Sequence, residues 1–219
     1  MPKLQAAIVP VTPLQQNCTL IWDEDTKAAL VVDPGGDVPK ILEAVRSLDL
    51  VVERILLTHG HFDHAGGAAD LRDALPGVPL DGPHERDAFL LDGLAESGAK
   101  YGIEGARAVR PDRWLTEGDT VALGEHRFAV LHCPGHTPGH VVFVNHEAGF
   151  AQLGDVLFRG SVGRTDFPYG DPDALLRAIR DKLLPLPDDM AFVCGHGPGS
   201  TIGVERRRNP FVAEALAMR

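Results

Sequence analysis

The segment from Thr58 to Gly67 carries four side chains that can bind a metal ion within six positions. They are His59, His61, Asp63 and His64. A metal site needs several lone-pair donors aimed at one point, and Gly60 gives the loop the freedom to fold back and aim them. Histidine nitrogen and carboxylate oxygen suit Zn²⁺, Fe²⁺ and Mn²⁺, whereas an all-thiolate set is typical of structural zinc. The spacing therefore predicts a metal centre rather than a histidine-rich surface loop.

Further polar groups follow apolar, strand-like runs elsewhere in the chain. Five such runs end at, or a few residues before, a side chain that could bind or orient a metal ion. These side chains are Asp33, His59, His136, Asp155 and His196. Loops at strand ends often carry functional residues because rigid sheets hold the loops in place. If the five runs end on one edge of the fold, we expect the five polar groups to converge there.

The elements that would position these groups alternate between strands and helices. Strands are predicted at 6–10, 19–22, 28–32, 54–57, 121–123, 128–133, 141–144, 150–153 and 190–194. Helices are predicted at 38–48, 67–75, 85–96 and 173–183, with a short one at the C-terminus. This order is typical of a two-halved α/β protein in which helices flank a β-sandwich. Because no low-complexity linker interrupts it, we expect a single domain over residues 1–219.

The composition and charge of the chain indicate which kinds of binding partner to expect. Apolar residues make up 44% and charged residues 24% of the chain, which is ordinary for a soluble enzyme. The formal charge of −10 disfavours a nucleic-acid or anionic-membrane partner, since both require clustered Lys and Arg. Three cysteines do not make a disulfide framework. No signal-peptide pattern and no apolar stretch of ~20 residues is found, so we expect a cytoplasmic protein with a small-molecule substrate. The sequence does not define an oligomeric state.

The His-x-His-x-Asp-His segment resembles the signature of the metallo-β-lactamase superfamily. Later segments of the chain fall in the same order as in that family. They are 33–36 (Asp-Pro-Gly-Gly), 134–140 (Pro-Gly-His-Thr-Pro-Gly-His), 154–155 (Gly-Asp) and 194–196 (Cys-Gly-His). The resemblance covers nearly the whole chain. It implies an α/β protein with the metallo-β-lactamase αββα sandwich fold.

The same resemblance implies a role for each residue of the motifs. One metal ion would be held by His59, His61 and His136, a second by Asp63, His64 and His196, and Asp155 would bridge the two. Zinc is the expected metal, with iron or manganese as alternatives. Asp33 would orient a ligand imidazole from behind, and His140 would form a hydrogen bond close to the ligands.

Two residues keep two interpretations each. Arg164 could contact a negatively charged group of the substrate, or it could pair with Asp166 and brace its own loop. His84 resembles a family position near the cleft, but it could equally be an ordinary residue at the start of a helix.

Within the superfamily, the chain resembles short, single-domain hydrolases of the glyoxalase II type, which cleave glutathione thioesters such as S-lactoylglutathione. The markers are the segments 136–140, 154–158, 163–167, 201–203, 205–207 and 209–211. Two departures put the substrate in question. Only 23 residues follow His196, where two-domain members carry a helical domain that grips glutathione. The family's tyrosine two positions beyond the last ligand is Pro198 here.

The implied reaction is thioester hydrolysis by a hydroxide shared between two metal ions, with Asp63 orienting it. Metal binding lowers the pKa of water to roughly 7, which supplies the nucleophile at neutral pH. A thiolate leaves without a strong general acid because a thiol pKa is only ~8.5. The alternatives are a persulfide dioxygenase of the same fold with a single iron, which usually lacks the histidine found here at His140, and a lactonase. A structural metal module is disfavoured because structural zinc sites are closed by four ligands, whereas seven residues are available here.

Overall fold

The structure, a computed structural model, describes residues 3–103 and 105–218. The strands are β1 (Leu4–Val11), β2 (Gln16–Asp23), β3 (Ala28–Val32), β4 (Val51–Leu56), β5 (Leu80–Asp81), β6 (Thr120–Leu123), β7 (His126–His132), β8 (Val141–Asn145), β9 (Phe150–Gln152), β10 (Leu157–Phe158), β11 (Ser161–Val162), β12 (Ala191–Val193) and β13 (Ser200–Thr201). The helices are α1 (Val38–Ser47), α2 (Phe62–Ala65), α3 (Ala68–Ala74), α4 (Ala88–Asp92), α5 (Leu94–Lys100), α6 (Pro172–Ala178), α7 (Ile202–Arg208) and α8 (Pro210–Ala217). A π-helical turn, Ile179–Leu183, continues α6.

The N-terminal half is a sheet in the order β1-β2-β3-β4-β5. Its first three strands pair antiparallel, and β3, β4 and β5 pair parallel. Every residue of β3 is apolar and buried, as expected for a strand covered on both faces. Helix α1 buries Val38, Ile41 and Val45 on one side, the spacing of a helix that packs through a single apolar stripe.

The C-terminal half is a sheet in the order β13-β12-β9-β8-β7-β6. Strands β6 to β9 pair antiparallel in sequence, whereas β12 lies parallel to β9. Strands β10 and β11 form a separate two-stranded ribbon.

Three apolar clusters hold these layers together. One joins the first sheet to its helices, and another joins the second sheet to α6, α8 and the turn after α6. The third lies between the two sheets, where Leu30 and Leu56 meet Phe128 and Phe143. Helices, sheet, sheet and helices are therefore stacked in that order, and the predicted αββα sandwich is confirmed.

The strand directions bring the strand ends that precede the polar groups to one edge of each sheet. In the first sheet, β3 and β4 run parallel and lead into Asp33 and His59. In the second sheet, β7, β9 and β12 run in the same direction and lead into His136, Asp155 and His196. Strands that run in the same direction end on the same side of a sheet. In each sheet, the polar groups therefore lie together at the C-terminal ends of these strands.

The predicted helix at 85–96 is wrong as one continuous helix. The segment is a 3₁₀ turn (Glu85–Asp87), α4 and α5, and the last two meet at Gly93, where the backbone leaves helical geometry. The short α2 and the two-residue strands were also not predicted, because so few residues show no periodicity.

Cys18, Cys133 and Cys194 are buried free thiols. Within the described ranges, no helix has the length and apolar character needed to cross a membrane.

Candidate metal centre

Three histidines form the first of two ligand clusters. His61 Nδ1 lies 3.1 Å from His59 Nε2 and 3.0 Å from His136 Nε2. One such atom from each residue lies within 4.8 Å of the others. Burial lowers the pKa of His61 to about 3, so its imidazole is neutral and offers a lone pair. Three neutral imidazoles that aim nitrogens at one point are the arrangement in which histidines bind a divalent cation.

The second cluster contains a carboxylate and two histidines. Asp63 Oδ2 lies 3.1 Å from His196 Nε2 and 3.8 Å from His64 Nε2, and the two histidine nitrogens are 3.4 Å apart. Burial alone would lower the pKa of His64, but the carboxylates of Asp155 and Asp63 outweigh burial and raise it well above its ordinary value. The carboxylates therefore favour positive charge at this position, which a metal ion would supply.

Asp155 faces both clusters. Its Oδ1 lies 3.4 Å from His64 Nε2, and its Oδ2 lies 3.5 Å from His136 Nε2 and 3.8 Å from His196 Nε2. Burial would raise the pKa of Asp155, but His64 and His136 hold it well below the usual range, so the group is ionised. Its Oδ1 is buried and has no hydrogen-bond partner among the described residues. A buried carboxylate oxygen without a donor is costly unless a cation lies beside it, so the donor set fits two metal ions.

A second nitrogen on each clustered histidine faces a potential hydrogen-bond acceptor. The pairs are His59 Nδ1 with Thr58 Oγ1 (3.0 Å), His61 Nε2 with Tyr169 Oη (2.9 Å), His64 Nδ1 with Asp33 Oδ2 (2.9 Å), His136 Nδ1 with the Arg164 carbonyl (2.7 Å) and His196 Nδ1 with the Leu14 carbonyl (3.3 Å). Such outer contacts fix the tautomer and the ring orientation of metal-binding histidines.

Asp33 lies behind the centre, fully buried. Its Oδ1 accepts the Thr58 backbone N–H (2.7 Å), and its Oδ2 accepts the Thr58 hydroxyl (2.6 Å) and faces His64. Through Thr58 it also supports His59. The turn that follows Asp33 packs closely against the metal-binding motif. A Cβ at Gly35 would lie 1.5 Å from the Asp63 carbonyl oxygen, so only glycine fits at this position.

His140 lies beside the ligands without joining either cluster. Its Nε2 accepts the Asp155 backbone N–H (3.0 Å), and its ring stacks on that of His59 at 4.6 Å. Its buried Nδ1 has no partner within the described ranges. The sequence predicted a hydrogen bond close to the ligands for this residue, and that role stays a prediction.

Sequence reasoning missed Asp87, a fully buried carboxylate. It accepts the Gly60 N–H (3.0 Å), the Thr137 hydroxyl (2.7 Å) and the Gly139 N–H (2.5 Å). Burial raises the pKa of Asp87 to about 6, although these donors act in the opposite direction. The residue fastens together the loops that carry His59, His61 and His136. Since its partners lie 27 to 52 positions away, no local spacing could have revealed it.

A cavity of about 610 Å³ opens over the two clusters. Its wall is largely aromatic and aliphatic, with Phe62, Leu90, Tyr101, Phe158, Phe167 and Tyr169 among the lining residues. His61, Asp63, His136, Asp155 and His196 also line it. An apolar cleft with a few convergent polar groups is the usual form of a small-molecule site.

For Arg164, one structural observation supports each of the two interpretations. The residue lines the cavity, and its guanidinium lies 4.6 Å from the centre of the Phe167 ring. It also forms two hydrogen bonds with Asp166, at 2.6 and 2.8 Å, in an exposed pair. His84 does not line the cavity: it precedes the 3₁₀ turn, accepts the Arg86 N–H and stacks on His132.

Comparison with known proteins agrees with this geometry. A model of the metallo-beta-lactamase superfamily matches residues 11–196. The chain therefore belongs to the metallo-β-lactamase superfamily, a class of metal-dependent hydrolases. It is 48% identical to the hydroxyacylglutathione hydrolase GloC of Haemophilus influenzae, over 94% of this chain and 96% of that protein.

Two solved structures are similar over almost their full length. The BLEG-1 B3 metallo-beta-lactamase superposes with a TM-score of 0.87 at 35% identity, covering 95% of this chain and 99% of that one. TTHA1623, crystallised in a di-iron-bound form, superposes with a TM-score of 0.84 at 41% identity, covering 94% and 99%. The family and the donor set together imply divalent metal ions.

Proposed function

We propose that this protein hydrolyses small thioesters, S-lactoylglutathione among them, with two divalent metal ions in its candidate centre. The observation that carries the proposal is the pair of ligand clusters at the base of the cavity, both faced by Asp155. The similarity to a hydroxyacylglutathione hydrolase supports the choice of substrate.

In this proposal each cluster holds one ion. The residues are His59, His61 and His136 for the first, and Asp63, His64 and His196 for the second. Asp155, which faces both clusters, would lie between the two ions. Zinc fits the nitrogen-rich donor set. Iron is the alternative with a specific observation behind it, since a similar structure is di-iron-bound. When bound, such a pair of ions supplies an activated water at neutral pH and polarises the carbonyl that it attacks.

The protein's own residues orient the reaction. Asp63 lines the cavity, and its carboxylate, fixed by His196, would hold the attacking water in line with the substrate carbonyl. The aromatic wall excludes bulk water from the reacting carbonyl. Arg164 at the rim would meet a negatively charged group of the substrate.

The leaving group favours a thioester over a lactone or an amide. Apart from the candidate ligands, the described residues that line the cavity include no carboxyl or imidazole that could protonate a strongly basic leaving group. A thiolate needs little help because a thiol pKa is ~8.5. A lactone would release an alkoxide, a much stronger base. A dioxygenase with one iron would need only one cluster, whereas both clusters are assembled here.

The test measures metal content and activity on the same purified sample. We expect two divalent ions per chain and hydrolysis of S-lactoylglutathione. His61→Ala should lose both metal and hydrolysis, because one of the three nitrogens of the first cluster is removed. His146→Ala is the matched control, since His146 is exposed and lies outside both clusters. A protein that is inert toward thioesters but consumes oxygen with glutathione persulfide would overturn the proposal.

A further inference from the structure

His61 differs from the other four clustered histidines in the nitrogen that it turns inward. It presents Nδ1 to its cluster, whereas His59, His64, His136 and His196 present Nε2. The outer nitrogen of His61 is therefore Nε2, at the end of the ring far from its own backbone. The other outer nitrogens meet a backbone carbonyl or the Asp33–Thr58 pair, but His61 Nε2 meets the hydroxyl of Tyr169.

Tyr169 is itself held in place by neighbouring rings. It stacks on Phe167 with ring centres 5.3 Å apart and an angle of 12°, and it meets Phe89 edge-on at 5.3 Å. Phe167 in turn packs against His61 at 4.9 Å and His136 at 5.6 Å. These contacts hold the Tyr169 ring, and with it the hydroxyl, beside His61.

Residues 163–170, here called the outer loop, support two of the three residues in the first cluster. The carbonyl of Arg164 accepts from His136 Nδ1, and the hydroxyl of Tyr169 lies 2.9 Å from His61 Nε2. Because a neutral imidazole carries a single N–H, an Nε2–H that donates to the Tyr169 hydroxyl leaves the lone pair on Nδ1, the nitrogen that faces the cluster.

We propose that Tyr169 is a positioning residue that holds His61 in the Nε2–H tautomer and aims its Nδ1 at the first metal ion. The inference rests on the metal centre described under the proposed function. Tyr169 lines the substrate cleft and also contacts a candidate metal ligand. A change in the outer loop would therefore alter both the shape of the cleft and the affinity for the first metal ion.

The test is Tyr169→Phe, which removes the hydroxyl and keeps the stacked ring. Metal affinity of the metal-free protein is measured by competition with a chelator for Zn²⁺, and the visible spectrum of the Co²⁺-loaded protein reports ligand geometry. Loss of an outer partner of a ligand typically costs about 10–100-fold in affinity, and we expect that loss for one of the two ions. The melting temperature of the metal-free variant should lie within about 4 °C of that of the wild type, the shift expected from one lost hydrogen bond.

Tyr101→Phe is the matched control for metal affinity. Tyr101 lines the same cavity and stacks on Phe62, but its hydroxyl forms no hydrogen bond among the described residues. Its loss should leave the affinity for both ions unchanged. If the wild type binds two ions and Tyr169→Phe binds both equally well, the inference is wrong while the proposed function stands. An equal loss of affinity for both ions, or a melting temperature of the metal-free variant lowered by much more than about 4 °C, would also overturn it. A wild type that binds no metal would refute the proposed function itself.

Discussion

The candidate centre is supported from two sides that differ in chemistry. On the deep side, Asp33 and Thr58 are fully buried and support His59 and His64 through a carboxylate and a hydroxyl. On the outer side, the outer loop supports His61 and His136 through a phenol and a backbone carbonyl. The residues of the deep side, Asp33 and Thr58, both follow strands of the first sheet. The outer loop, in contrast, also forms part of the cleft wall. Changes on the deep side should therefore affect metal and fold, and changes on the outer side should affect metal and substrate.

Asp155 faces residues served by both supports, so its loss should have the largest effect. Asp155→Asn keeps the shape but removes the negative charge between the clusters. We expect the variant to lose at least one ion and to lose hydrolysis by more than the roughly 100-fold typical of changes behind a ligand. Metal analysis and thioester hydrolysis measure both. Asp189→Asn, on the exposed surface, is the control. Full metal content in Asp155→Asn would show that Asp155 does not join the clusters.

Asp33→Asn tests the deep support. The amide would bring a donor to a position where one carboxylate meets the Thr58 backbone N–H, the Thr58 hydroxyl and His64 Nδ1. We expect metal affinity and activity to fall about 10–100-fold, less than on loss of a ligand. Competition with a chelator and steady-state hydrolysis are the measurements. An effect as large as that of His61→Ala would place Asp33 among the ligands instead of behind them.

Asp87→Ala should act on the fold more than on the chemistry. It would leave the Gly60 N–H, the Thr137 hydroxyl and the Gly139 N–H without their buried acceptor. Each unsatisfied buried group costs about 1–3 kcal/mol, so we expect the free energy of unfolding of the metal-free protein to fall by about 3 kcal/mol or more. Urea unfolding measures this. Asp92→Ala, at the exposed end of α4, should change it little. Equal stability of the two variants would contradict the role of Asp87 in fastening the loops.

Arg164→Ala should give the smallest effect and act through the substrate. An exposed ion pair contributes about 0.2–1 kcal/mol, so loss of a contact with a substrate carboxylate should raise KM only about 1.4- to 5-fold and leave kcat unchanged. Asp166→Ala frees the same guanidinium and should lower KM. Steady-state kinetics on S-lactoylglutathione distinguishes the two variants, with the exposed Arg177→Ala as control. If neither variant changes KM, Arg164 only braces its loop.

Most of the fold could be predicted from sequence because β3, α1, β7 and β8 show strong periodicity or long apolar runs. The prediction of one helix at 85–96 was wrong at Gly93, because the apolar spacing continues through a residue at which the helical backbone is interrupted. The clustered residues could be proposed because they follow buried strands in a specific order.

The supporting residues could not be predicted in the same way. Asp87 reaches partners up to 52 positions away, and Tyr169 lies 108 positions from His61. Hydrogen bonds over such separations follow from the folded geometry and leave no local pattern. The sequence therefore indicated the candidate ligands, together with Asp33 and His140 beside them, but it did not indicate Asp87 or Tyr169.

Anomalous X-ray diffraction from crystals grown with zinc tests the central claim most directly. Two peaks per chain are predicted, one among the inward nitrogens of His59, His61 and His136 and one among Asp63, His64 and His196, with the Asp155 carboxylate between them. A single peak, or peaks away from these atoms, would contradict the two-metal centre.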